Sequence, residues 1–160
     1  LMGSSHDDTM LRIQKFVVQK LTYSYDENNQ GAVEFWQFPF ETISSWIGDC
    51  EDGAILIVSL GINAGVPSWR LRVAAGMVQE SETAPEGGHG YATYLRESDS
   101  NWTVLDWCYL ENSSTSMKNK PILKEHKPYK QVWFSFNDEH AYGNEQFEIT
   151  QRLALVNKED

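Results

Sequence analysis

The stretch Gly48-Asp49-Cys50-Glu51-Asp52-Gly53-Ala54 constrains this chain more than any other. Gly48 breaks the backbone, Asp49 is a favoured helix N-cap, and Asp52 stands three residues on in a capping-box-like spacing. Ala54-Ile55-Leu56-Ile57-Val58-Ser59-Leu60 follows, apolar on every side, which predicts a buried helix. Asn63-Ala64-Gly65 ends it, with Gly65 at C′ and Pro67 just beyond. Cys50 therefore falls in the first turn of a buried central helix. Unpaired N–H groups and the positive dipole end there favour the thiolate over the thiol. A cysteine so placed can equally be a small packing residue. On this stretch alone, nucleophile and packing residue are even readings.

The 160 residues suffice for one domain with a real core, and 41% hydrophobic with 22% charged residues is a globular composition. The expected domain spans 9–160. Residues 1–8 show no apolar period, resemble a leader, and are set aside from the fold. A net charge of −10 argues against nucleic acid or an anionic membrane surface as partner. No apolar run approaches the ~20 residues of a membrane-crossing helix, so no membrane insertion is expected. Cys50 and Cys108 allow at most one disulfide, and no CxxC or HExxH spacing suggests zinc.

Met10, Ile13, Phe16, Val17 and Leu21 recur at helical spacing and predict a helix over 9–21. Residues 34–40 are dense in aromatics, either core packing or a wall of a site, and a short helix is expected over 41–46. After the central helix the period becomes two. Strands are expected from Trp69 through Met77, over 88–95, over 102–107 and over 129–137. Residues 111–128 form a long polar segment, a surface loop or lid candidate. Phe147, Ile149 and Leu153 leave 145–156 open between strand and helix. A helix, a central helix and successive antiparallel strands make an α+β fold. Parity puts His89 and Asp106 on one sheet face, since they are 17 residues apart. A symmetric hairpin about residues 99–100 would set Asp106 opposite Thr93, so joining it to His89 needs a bulge or an asymmetric turn.

Three blocks taken together resemble the transglutaminase-like branch of the papain-like thiol enzymes, and most of all its bacterial transglutaminase-like cysteine proteinases. They are Trp36-x-x-Pro39-x-Glu41-Thr42, Gly48-Asp49-Cys50-Glu51-Asp52-x-Ala54, and Gly88-His89 with Trp102-x-x-Leu105-Asp106. In this chain Gly90 follows the histidine where many relatives carry an aromatic residue or valine. The resemblance implies a transglutaminase-core fold, with the central helix starting at the cysteine and packed on an antiparallel sheet. It further implies Cys50 as nucleophile, His89 as acid/base and Asp106 as the group orienting the imidazole. The backbone N–H of Cys50 with Trp36 or Gln37 would bind the oxyanion.

The resemblance also makes Asp49 and Glu51 candidate calcium ligands, although acids in a helix's first turn are stabilised by ~0.3–1 kcal/mol without any metal. The activity implied is amide hydrolysis of a peptide or protein through an acyl-enzyme, without a required cofactor. The alternatives are transfer of the acyl group to an amine, and an idle domain that binds peptide. Lys118, Lys120, Lys124, Lys127 and Lys130 cluster after the Asp106 strand. They are either a solvated loop or an overhang that attracts an acidic substrate.

Overall fold

A computed structural model describes residues 1–31 and 33–143. The element expected over 145–156 lies outside the described residues. The first helix, α1, runs His6–Lys20, three residues earlier than its apolar period indicates. Ser5 caps it by accepting from the Asp8 N–H, and Asp7 and Asp8 sit at the positive end of its dipole. Part of the segment set aside as a leader is thus in the fold. Asp7 accepts from the Tyr94 hydroxyl at 2.7 Å and the Glu97 N–H at 2.8 Å, tying the helix start to a distant turn. Capping chemistry, which carries no apolar period, decides this boundary.

Two short strands, β1 (Thr22–Tyr23) and β2 (Ile47–Gly48), pair in parallel. Between them lie α2 (Asp26–Asn29) and α3 (Pro39–Ser45). Trp46 ends α3 in the left-handed region at φ 54, and its ring meets the edge of Phe16 at 5.6 Å. The β1–β2 pair holds residues 22–26 beside the start of α4, the central helix Cys50–Asn63. Gly65 follows at φ 91, the conformation a C′ glycine supplies without strain. Ala54, Leu56 and Ile57 of α4 are fully buried, packed with Met10, Ile13 and Val17 of α1.

The main sheet contains β3 (Leu71–Val78), β4 (Gly87–Leu95), β5 (Trp102–Leu105), β6 (Tyr129–Phe136) and β7 (Ala141–Gly143). Its order is β5-β4-β3-β6-β7, antiparallel throughout. Leu71, Val73, Ala92, Tyr94 and Leu105 share a core with α1 and α4. Ala74, Val78, Tyr91, Leu95, Trp102 and Val104 form a second core with Leu123 and Tyr129. The lysine-rich segment therefore covers the sheet rather than overhanging a site. The Thr103 hydroxyl donates to the Pro121 carbonyl at 2.7 Å, and Arg96 donates to the Met117 carbonyl at 3.0 Å. Lys120 is only 2% exposed, with its Nζ donating to the Asn112 carbonyl at 2.6 Å, and burial pushes its ammonium down to about 8.

The β4–β5 hairpin settles how His89 and Asp106 meet. Pairing runs from Leu95–Trp102 to Ala92–Leu105. Continued one residue, that register sets Asp106 across from Tyr91, two residues from His89, instead of across from Thr93. The turn is asymmetric: Ser100 takes φ 56, its N–H donates to the Arg96 carbonyl at 3.0 Å, and Arg96 Nε donates to Asp99 at 2.9 Å. Same-face positions two residues apart across a hairpin are within reach of long side chains.

Candidate active site

The start of α4 is pinned from two sides. The Asp49 N–H donates to Asp52 Oδ2 at 3.2 Å, the reciprocal half of the expected capping spacing. The Trp107 indole N–H donates to the Cys50 carbonyl at 3.0 Å, so the segment that leaves β5 with Asp106 also fixes the backbone of the nucleophile candidate. The Gly90 N–H donates to Cys50 Sγ at 3.4 Å. A side chain at 90 would not fit, because a Cβ there would lie 2.9 Å from Glu51 Cβ and 3.0 Å from its Cα. Glycine after the histidine is thus what lets β4 approach the first turn of α4.

His89 Nε2 lies 2.8 Å from Asp106 Oδ2, with both side chains buried. The other carboxylate oxygen accepts from the N–H groups of Cys108 at 3.2 Å and Tyr109 at 3.3 Å. Burial alone would raise the Asp106 carboxyl. The bonds from His89, Tyr129 and the Cys108 N–H outweigh it and hold the group below the ordinary carboxylate value. An ionised carboxylate only accepts, so Nε2 carries the imidazole proton and Nδ1 keeps its lone pair. Tyr91 stacks on the ring at 5.8 Å and Tyr109 lies over it at 5.2 Å. Cys50 and His89 line one cleft of ≈ 430 Å³, walled by Trp36, Trp133 and Phe134.

The helix dipole is opposed at the thiol. Burial, and then the Glu51 carboxylate, push Cys50 up from its ordinary value; the Gly90 N–H opposes them without prevailing. Sγ donates to Glu51 Oε2 at 3.1 Å. Cys50 and Cys108 are both free thiols, so the possible disulfide is not formed. Burial pushes Cys108 up as well.

Five carboxylates line the cleft, those of Asp26, Glu27, Glu34, Asp49 and Glu51, and no Lys or Arg among the described residues does. Burial and mutual repulsion raise Asp49, burial raises Glu51, and burial raises Asp26. Buried oxygens Asp26 Oδ1, Asp49 Oδ1 and Glu51 Oε1 have no hydrogen-bond partner. The Asp26, Asp49 and Asp52 carboxylates lie within 4.8 Å of one another, as do the ligand atoms of Asp49, Cys50 and Glu51. Asp52 is already engaged by Gln37 and the Asp49 N–H, but the unpaired carboxylate oxygens of Asp26, Asp49 and Glu51 are hard donors of the kind a calcium ion takes. This lining also opposes the reading of an acidic substrate drawn in by the lysines; none of residues 111–128 lines the cleft.

The two oxyanion candidates differ. Both amide hydrogens of Gln37 are committed, to Asp52 Oδ2 at 2.7 Å and the Ile47 carbonyl at 3.2 Å, and its N–H donates to Asp52 Oδ1 at 2.8 Å. Gln37 is a buried brace. Trp36 lines the cleft, stacks on Phe134 at 6.0 Å, and donates its indole N–H to Glu34 at 2.7 Å. Trp36 thus realises the wall reading, whereas Phe35, Phe38 and Phe40 are exposed, so the core-packing reading of this aromatic stretch does not hold. Asp26, Trp107 and Tyr129 escaped sequence reasoning. Trp107 alone had a local signal, its place directly after Asp106.

This architecture, a buried helix opening at a cysteine and packed on an antiparallel sheet carrying histidine and aspartate, is the transglutaminase-like cysteine protease fold. No protein-family model matches the sequence, and no curated protein does. Solved structures do match. Legionella pneumophila LapG superposes with a TM-score of 0.62 at 21% identity, over 98% of this chain and 80% of that one. LapG treated with EGTA gives 0.63 at 22%, over 89% and 69%. Calcium-bound LapG gives 0.60 at 20%, over 91% and 78%. The likeness is one of fold. Among the described residues, no helix is long and apolar enough to cross a membrane.

Proposed function

We propose that this chain is a cysteine peptidase working through a Cys50–His89–Asp106 triad. The observation that carries the reading is the oriented imidazole. Asp106, held by four donors, fixes His89 as the Nε2–H form beside the cleft that Cys50 lines. The proton of Cys50 passes to His89 Nδ1 as Sγ attacks the scissile carbonyl carbon. The Cys50 backbone N–H, aided by the Trp36 indole turning from Glu34, takes the charge that develops on oxygen. The imidazolium then gives its proton to the leaving amine as the C–N bond breaks, leaving a thioester on Cys50. Water, deprotonated by His89, attacks that thioester and releases the acid and the thiol.

Calcium belongs to the same reading as a positioning ion. Asp49, Glu51 and Asp26 would hold it through the oxygens that lack partners. Its charge would offset the carboxylates that now oppose the Cys50 thiolate. Calcium-bound LapG, a structure of the same fold, supports testing this ion first.

The test is mass spectrometry of a peptide library after incubation with wild type and with Cys50→Ala, with and without an added primary amine. New peptide termini formed only by wild type support hydrolysis. Amine adducts in place of cleavage would move the assignment to acyl transfer. No change in any peptide would favour the idle binding domain.

A further inference from the structure

Asp106 Oδ2 has a second donor besides His89. The Tyr129 hydroxyl lies 2.6 Å from it, from the first residue of β6. A carboxylate offers about four lone-pair sites. Here Cys108 and Tyr109 fill two on Oδ1, and His89 and Tyr129 fill two on Oδ2. Removing any one donor leaves a buried acceptor short of a partner and frees the carboxylate to rotate. Tyr129 is itself closely packed: it is buried, with its ring 4.7 Å from Tyr91, which stacks on His89.

We propose that Tyr129 is a positioning residue of the triad. It locks the Asp106 carboxylate and shares its charge, and so sets the orientation and proton-accepting strength of His89. The inference rests on the proposed peptidase reading, but its test needs no substrate. Tyr129→Phe removes only the hydroxyl and keeps the ring packing. Two quantities are read: the low-field NMR resonance of the His89 Nε2 proton, and the rate at which iodoacetamide alkylates Cys50.

With Tyr129 absent, Oδ2 has one donor left. The Nε2 proton should move downfield and exchange faster with water. Cys50 alkylation should quicken by up to about tenfold, because an imidazole bonded to a more fully charged carboxylate accepts the thiol proton more readily. An unmoved resonance, or an unchanged alkylation rate, overturns the proposal. If Tyr129→Phe does not fold, 3-fluorotyrosine at position 129 carries the same test. Its hydroxyl is a stronger donor, so the resonance should move upfield, and no movement overturns the proposal. A chain that passes this test yet cleaves no peptide loses the peptidase reading and keeps the Tyr129 lock.

Discussion

Gly53→Ala isolates the contact that ties α4, which opens at Cys50, to the segment after β5 that carries Asp106. A Cβ at 53 would lie 2.2 Å from Trp107 Nε1 and 2.4 Å from Cε2, far inside van der Waals contact. The indole has little freedom to yield, since it is buried, donates to the Cys50 carbonyl and packs 5.7 Å from Tyr23. Overpacking of this kind costs ~1–3 kcal/mol. Losing the indole hydrogen bond costs a further ~0.5–1.5 kcal/mol. Alanine returns ~0.8–1.0 kcal/mol of helix propensity. The net is about 2 kcal/mol of destabilisation, or a fall of about 4–8 °C in Tm for a domain of this size. Gly61→Ala is the control, with the same propensity gain on the same helix. Its Cβ would meet Met10 Sδ at 2.7 Å and Leu71 Cδ1 at 2.8 Å, the ends of side chains that can turn aside. Thermal melts of both variants decide. Gly53→Ala should fall furthest and also slow Cys50 alkylation. A Gly53→Ala protein as stable as wild type, or less damaged than Gly61→Ala, would show that the Trp107 contact does not hold α4 in place.

Other outcomes follow from the same geometry. In a peptide-cleavage assay Cys50→Ala should abolish turnover and His89→Ala should nearly do so, while Asp106→Ala retains a slow reaction with a misdirected imidazole; turnover by Cys50→Ala would put the chemistry elsewhere. Calcium should raise Tm, by ~2.7 kcal/mol of stability at a hundred times its Kd, and Asp49→Asn with Glu51→Gln should cancel the response. Identical melts of wild type with calcium and with chelator would leave the two acids as helix-start residues. Asp106 has its carboxyl held below the ordinary range, so its stabilisation is complete above the unfolded value and is lost as pH falls through the folded one. Asp106→Asn should therefore flatten the fall of Tm with acid below about pH 4, and an unchanged slope would contradict that.

How far the fold could be read in advance depended on whether the deciding signal was local. The ends of α4 were legible because Gly48, Asp49 and Gly65 each act on their own turn. His89 and Asp106 were legible through the order and spacing of their blocks. Their register was not, because it hangs on Ser100 in the left-handed region and on Arg96 clamping Asp99. The start of α1 depends on the Ser5 cap, which leaves no apolar trace. Gln37 stood in the right neighbourhood for the oxyanion, but Asp52 engages its amide. The dipole argument for Cys50 left out burial and Glu51, both of which push the thiol up, because neither shows in the local sequence pattern. Lys120 looked like a solvated charge and is a buried brace. Tyr129 reaches Asp106 from 23 residues away with no motif around it.

The central claim is that Cys50 carries the acyl group during turnover. The direct measurement is peptide mapping by mass spectrometry of a reaction quenched with acid within its first turnovers, using an activated peptide ester so that deacylation limits the rate. One acyl adduct is expected on Cys50, none on Cys108, with the adduct lost in His89→Ala. Steady turnover with Cys50 unmodified, or an adduct that forms equally without His89, would contradict that claim.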